Sequence, residues 1–327
     1  MDYVLLIFGF FLLVKGADIF VDGSSNIAKT LKIPSLIIGL TIVAFGTSAP
    51  EAAVSITASI NGQNGMAIGN VIGSNIFNLL MVVGASGVIK SLIIDKSVLS
   101  RQLPFTLITS ILLVIFSADM IIKKSPINTL TRIDGIILLF LFGLYLYSLI
   151  HSALKSRNET IDNSGASIDS DVIVSEKKYS ISKSIVLSVF GLCSIILGGN
   201  FVVDSASNIA STFGLSDQLI GLTIVAIGTS LPEFVTSIIA ATKGESDLAL
   251  GNVIGSNLFN ILFVLGASAL ISPMTMDPKL VFDGLFMIFA TFITFIFAYR
   301  KNDINKFESI LLIILYAIYM GILIINA

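Results

Sequence analysis

The chain has little charge for its size. Of its 327 residues, 12% are Asp, Glu, Lys or Arg, against 55% hydrophobic residues, and the mean hydropathy is +0.97. That is too little polar surface to cover a soluble globule of this length, so lipid must be its solvent. Cysteine occurs once, at Cys193, which excludes an intramolecular disulfide and any Cys-cluster metal site. Histidine also occurs once, at His151, beside the end of an apolar stretch; it reads as an interfacial residue rather than a ligand. A basic leader is missing as well: Asp2 stands at the N-terminus and the apolar run continues into a full span, so the first segment is expected to stay in the mature protein. Runs such as Ile136 to Leu146 show no alternation of polarity, which argues against a β-barrel. No nucleophile is paired with a base and no metal-hydrolase motif is present, so the chain does not read as an enzyme.

What is there is apolar sequence in helix-sized pieces. A hydrocarbon core of about 30 Å takes about 20 residues of helix. Ten stretches qualify, near 3–22, 34–60, 66–89, 103–122, 134–152, 184–204, 217–242, 248–271, 280–299 and 308–325. The expected fold is therefore an all-α integral membrane protein of ten transmembrane helices. The hydrophilic stretch 153–183 reads as a flexible linker between a first five-helix half, 1–152, and a second, 184–327. Its Asp162, Asp169 and Asp171 lack the EF-hand spacing. Fourteen of the nineteen Lys and Arg residues fall in odd-numbered connections and four, Lys123, Lys124, Arg132 and Lys279, in even ones. By the positive-inside rule the odd connections and the linker are cytoplasmic and both termini lie outside the cell membrane.

The halves repeat each other. GLTIVAFGTSAPE at 39–51 returns as GLTIVAIGTSLPE at 221–233, and GNVIGSNIFN at 69–78 as GNVIGSNLFN at 251–260, both at an offset of 182. A repeat of that length is a duplicated half-protein rather than a solenoid unit. Five spans per copy is an odd number, so the second copy should enter the membrane inverted. Each first motif ends in a carboxylate, Glu51 or Glu233, at a depth where an acid costs about 2.5–3.5 kcal/mol. One reading is local: Ser48 with Glu51, and Ser230 with Glu233, have the spacing of a helix capping box with Pro in the first turn. The other starts from the interruption of the span. Gly46 and Pro50, like Gly228 and Pro232, weaken the backbone ladder and free carbonyls in the turn before, and paired broken helices in inverted repeats mark a midplane site in secondary transporters. Gly69 with Gly73 and Gly251 with Gly255 have the spacing of close helix packing. Packing leaves Ser74, Asn75, Asn78, Ser256, Asn257 and Asn260 unexplained. Ser74 and Asn78 share a helical face, and an oxygen-only donor set with two carboxylates suits Ca²⁺ or Na⁺.

These two motifs, each present twice in opposed halves, resemble the α-repeats of the calcium/cation antiporter superfamily, in particular the prokaryotic type of sodium/calcium exchanger, over essentially all ten spans. The resemblance implies that Glu51 and Glu233 are shared cation ligands. It implies oxygens from Thr47, Ser48, Ser74, Thr229, Ser230 and Ser256, and carbonyls from Ala44 and Ala226. Asn78 and Asn260 fill the remaining polar corner, where some members carry an Asp in the second repeat. It further implies exchange of Ca²⁺ for Na⁺, both as transported ions with no cofactor, with a proton-coupled or potassium-dependent Ca²⁺/cation antiporter as the alternative. No nucleic-acid partner is expected, and two repeats complete one site, so a monomer suffices.

Two ionised Glu give an empty site of charge −2, costly to occlude, whereas one Ca²⁺ neutralises it. The resemblance implies alternating access with the first and sixth helices sliding against the other eight, and Gly9, Gly16, Gly191, Gly198 and Gly199 would permit close contacts there. Lys15 and Asp18, three apart, are expected to pair. Asp22 and Asp204 read either as cation guides or as helix ends.

Overall fold

The computed structural model describes residues 1–117, 128–164, 180–213 and 226–326. Twelve helices account for nearly all of them: α1 (Asp2–Leu31), α2 (Ser35–Thr47), α3 (Ala49–Ile60), α4 (Asn64–Ile89), α5 (Val98–Phe116), α6 (Arg132–Ser164), α7 (Ile181–Thr212), α8 (Ala226–Thr229), α9 (Leu231–Thr242), α10 (Ser246–Ile271), α11 (Pro278–Lys301) and α12 (Lys306–Asn326). Among the described residues eight are long and apolar enough to cross a membrane, α1, α4, α5, α6, α7, α10, α11 and α12. A ninth span is the pair α2 and α3, bent by 50° at its break. The tenth expected span, 217–242, falls partly on 214–225, outside the described residues; α8 and α9 are its described part.

The sequence explains both the breaks and the continuities. Pro50 and Pro232 sit in the first turns of α3 and α9, where a missing N–H is harmless, but neither can donate back into the preceding helix. The chain therefore turns at Ser48 (φ −82°, ψ 6°) and Ser230 (φ −93°, ψ 5°). By contrast α6 runs on to Ser164, into the stretch expected to be linker, because nothing from Ala153 to Ser164 is Gly or Pro. Only 165–179 of that stretch lies outside the described residues. Helices α1 and α7, of 30 and 32 residues, are each about 45 Å or longer at 1.5 Å per residue, so they must tilt or protrude from the hydrocarbon.

Those two long helices pack on each other along nearly their whole length, and small residues set the distance. A methyl group added to Gly191 would stand 2.7 Å from the Gly16 carbonyl oxygen, and one added to Gly198 would stand 2.7 Å from that of Gly9. The most deeply buried spans are α4 and α10, which carry GNVIGSN and cross at the centre of the molecule. π-helical turns interrupt the motif helices at Gly39–Val43, Asn78–Val82 and Phe259–Leu265; such insertions redirect side chains and recur at functional sites. Two short antiparallel ribbons join the halves: β1 (Leu92–Ile93) with β4 (Asp303–Ile304), and β2 (Asn128–Leu130) with β3 (Met274–Met276).

Candidate cation site

Glu51 and Glu233 are both completely buried, each in the first turn of the helix that follows a break. The capping-box reading does not hold. Neither Ser48 nor Ser230 makes a side-chain cap bond to its own helix. Each reaches the other repeat instead: Ser48 Oγ donates to Glu233 Oε1 at 2.7 Å, and Ser230 Oγ donates to Glu51 Oε1 at 3.0 Å. A hydroxyl donates once and accepts twice, so Ser230 also accepts from Ser74 Oγ, 3.0 Å away. Ser256 Oγ lies 3.4 Å from both Glu233 Oε1 and the Ala44 carbonyl oxygen. That carbonyl is not free as expected, since it accepts the Ser48 N–H at 2.9 Å and lies 3.3 Å from Thr47 Oγ1. Ala226 opens α8, at the edge of the described residues.

Two further pairs, Asn70 with Asn252 and Ser55 with Ser237, were not singled out by sequence reasoning. Asn252 Nδ2 donates to Ser237 Oγ at 2.9 Å and to the Glu233 carbonyl at 3.3 Å, while its Oδ1 accepts from Thr47 Oγ1 at 3.0 Å. Asn70 does the same in the other repeat, with Ser55 Oγ at 2.9 Å, the Glu51 carbonyl at 3.4 Å and Thr229 Oγ1 at 3.4 Å. Each Asn thus fixes the backbone of its own Glu and a Thr of the opposite repeat. Both lie in GNVIGSN, so recurrence at the same offset was the signal that could have found them.

At the crossing of α4 and α10 four amides interlock. Asn75 and Asn257 each donate to the other's backbone carbonyl at 3.3 Å. Asn78 Nδ2 donates to Asn257 Oδ1 at 3.1 Å, and Asn260 Nδ2 donates to Asn75 Oδ1 at 3.3 Å. This fixes which way the outer amides point. Their oxygens, Asn78 Oδ1 and Asn260 Oδ1, have no hydrogen-bond partner, and neither do Glu51 Oε2 and Glu233 Oε2. Buried polar atoms are nearly always paired. All four lie on repeated residues, and unpartnered oxygen acceptors are the kind of group a hard cation takes as ligands. Among the described residues no group of three or more His, Cys, Asp or Glu is placed to hold a metal ion.

The remaining expectations fare unevenly. Gly251 and Gly255 do pack closely: a methyl group on either would stand 2.7 Å from a backbone oxygen of the first repeat, Leu36 or Leu40, whereas among the described residues Gly69 and Gly73 do not, since a methyl group on Gly69 would meet only the Leu280 side chain at 3.6 Å and one on Gly73 nothing within 4 Å. Asp18 does not pair with Lys15. Lys243 Nζ, from the turn after α9, lies 2.6 Å from Asp18 Oδ1 and 2.6 Å from Asp22 Oδ1. Lys15 and Asp204 are exposed. His151 is exposed too, beside the Tyr147 ring.

A family model described as sodium/calcium exchanger protein matches residues 1–151 and 183–325. The chain belongs to the sodium/calcium exchanger family. The chain is 37% identical to the putative antiporter CaxA of Alkalimonas amylolytica over 98% of both chains. To the sodium/calcium exchanger MaX1 of Methanosarcina acetivorans it is 33% identical, again over 98% of each. Among solved structures it is similar to the sodium-calcium exchanger NCX_Mj, with a TM-score of 0.81 at 31% identity over 98% of both chains. Membership makes this a multi-pass membrane transporter of the cation/Ca²⁺ antiport kind, not an enzyme.

Proposed function

We propose that this chain exchanges Ca²⁺ for Na⁺ by alternating access at the site between Glu51 and Glu233. The observation that carries the reading is the set of four buried, unpartnered oxygens, Glu51 Oε2, Glu233 Oε2, Asn78 Oδ1 and Asn260 Oδ1. Ser256, beside Glu233, and Ser74, beside Ser230, are further ligands, and the Ala44 carbonyl, by equivalence Ala226 too, adds backbone oxygen. Ser48 and Ser230 hold the other repeat's Glu, and Thr47 and Thr229 are tied to Asn252 and Asn70, so each half is shaped by the other. Two ionised carboxylates balance one Ca²⁺ or two Na⁺, and either load removes the charge that would make occlusion costly. An empty site keeps its −2 and does not cross, which couples the two fluxes.

The architecture belonging to this function is ten spans in two inverted five-helix repeats, 1–152 and 184–327, in the cell membrane with both termini outside. The excess of Lys and Arg in the odd connections supports that orientation. The two repeats of one chain complete one site, so a monomer suffices for transport. Labelled Ca²⁺ uptake into proteoliposomes tests the coupling ion. Uptake that needs internal Na⁺ and ignores K⁺ loading or a pH gradient is expected; uptake driven by protons or K⁺ alone would replace Na⁺ in the reading.

A further inference from the structure

The turns that follow α3 and α9 share a backbone and differ in chemistry. Each is made by a glycine in the left-handed region, Gly62 (φ +74°) after α3 and Gly244 (φ +80°) after α9, at the offset that relates the repeats. Lys243 and Glu245 flank the second glycine, whereas Asn61 and Gln63 flank the first. Both charged residues are fastened to α1. Lys243 Nζ lies 2.6 Å from Asp18 Oδ1 and 2.6 Å from Asp22 Oδ1, and it donates to the Asp18 carbonyl at 2.8 Å. Glu245 Oε1 accepts from Ser25 Oγ at 2.6 Å and stands 3.8 Å from Lys29 Nζ. Steps of four, three and four residues put Asp18, Asp22, Ser25 and Lys29 on one stripe of α1.

Among the described residues nothing comparable holds the other face. The residues of α7 equivalent to that stripe are Asn200, Asp204, Ser207 and Ser211, one charged group where α1 has three. Asn61, Gln63 and Asp204 are exposed. Ser207 Oγ, the counterpart of the hydroxyl that reaches Glu245, has no hydrogen-bond partner. Packing differs in the same sense: α1 lies against α9, while among the described residues α7 has no comparable packing with α3. The close glycine contacts between α1 and α7 join these two helices, so a shift that seats α7 on α3 draws α1 off α9. The two equivalent contacts are alternatives, and only one of them carries charges.

We propose that the turn from Lys243 to Glu245 is an electrostatic clamp that biases the loaded carrier toward the state closed on its own face. The inference rests on the alternating access proposed above, and with the orientation given there the clamped face is cytoplasmic. A partly exposed ion pair shifts an equilibrium by about fivefold or less, so the clamp tilts the balance between states without locking it. Pulsed electron paramagnetic resonance on the full-length chain lacking Cys193 reads that balance. Spin labels at Leu31→Cys and Thr242→Cys report the clamped face, and labels at the equivalent Phe213→Cys and Ile60→Cys report the other; all four positions are exposed. In saturating Ca²⁺, Lys243→Gln loses two ion pairs and should shift the ratio of closed to open on the clamped face by about twofold to twenty-fivefold toward open. Raising choline chloride from about 0.05 M to about 1 M screens the pairs and should move the native chain the same way, with less effect on Lys243→Gln. Asn61→Lys/Asn200→Asp builds the missing clamp between α3 and α7 and should draw Phe213→Cys toward Ile60→Cys. The same variants are measured in the Glu51→Gln/Glu233→Gln background, whose neutral empty site can cross without an ion. Shifts in that background alone would support the clamp and fault Ca²⁺ as the load. Unchanged distances in both backgrounds for Lys243→Gln, or for Asn61→Lys/Asn200→Asp, would overturn the clamp.

Discussion

At the scale of single residues, the site depends on which atoms are left over. Ser48 and Ser230 occupy one oxygen of each carboxylate, and the other has no hydrogen-bond partner. Glu51→Gln or Glu233→Gln keeps the shape but puts an amide donor into a set of acceptors. Each should weaken Ca²⁺ binding at least about a hundredfold, as expected for removing one partner of a buried charge cluster, measured by isothermal titration calorimetry on the purified variant. Asn260 is informative in another way. Its Nδ2 donates to Asn75 Oδ1, and an aspartate keeps that contact only while protonated. Asn260→Asp should therefore turn over like the native protein at acid pH and fall at least about tenfold below it as pH rises and the third carboxylate ionises. A flat ratio of the two activities across pH would contradict the assignment. The sequence made Glu51, Glu233, Ser74 and Asn78 legible because polar residues inside apolar repeats need a reason. It did not make the exchange of partners between repeats legible, because Ser-x-x-Glu describes a local cap equally well. Only the crossing of the chains decides that Ser48 serves Glu233.

At the scale of elements, the glycines of α1 and α7 argue for one rigid pair rather than two independent sliders. Backbone rests on backbone at Gly9, Gly16, Gly191 and Gly198, and Phe8 faces Phe201 with ring centroids 6.1 Å apart. A cross-link within that pair, from Phe8→Cys/Phe201→Cys in a background without Cys193, should leave exchange largely intact. A cross-link from Asp18→Cys to Lys243→Cys should stop it, because it ties α1 to the turn that follows α9. The reverse pattern in flux assays would show that the moving body has been drawn wrongly. The ion pairs from Lys243 to Asp18 and Asp22 are partly exposed and contribute about 1 kcal/mol or less each, which makes them a latch that can open. Pairing Asp18 with Lys15 was the reading available from spacing alone; the real partner is 225 residues away, beyond any local rule.

At the scale of the whole molecule, duplication does most of the structural work. The offset of 182 that aligns the motifs also relates Asn70 to Asn252, Ser55 to Ser237 and Asn75 to Asn257, and the structure brings each pair to equivalent places in one network. Composition was enough to read an all-helical membrane protein, and the length of each apolar run located nearly every span. The extent of α6 was harder to read, since a polar helix leaving the membrane has no hydrophobic boundary to mark its end. Because each repeat completes the other's half-site, damage in one should be felt in both. Asn252→Ala removes one partner each of Thr47, in the first repeat, of Ser237 and of the Glu233 carbonyl. With buried hydrogen bonds lost at about 1 kcal/mol each, the thermal midpoint should fall and Ca²⁺ affinity should fall with it.

One divalent cation is expected between Glu51 and Glu233. Anomalous diffraction from crystals soaked in Sr²⁺, a heavier stand-in for Ca²⁺, measures this directly. A single strong peak is expected about 2.3–2.6 Å from Glu51 Oε2 and Glu233 Oε2, absent in the Glu51→Gln/Glu233→Gln protein. A peak elsewhere in the bundle, or one that persists in that variant, would contradict it.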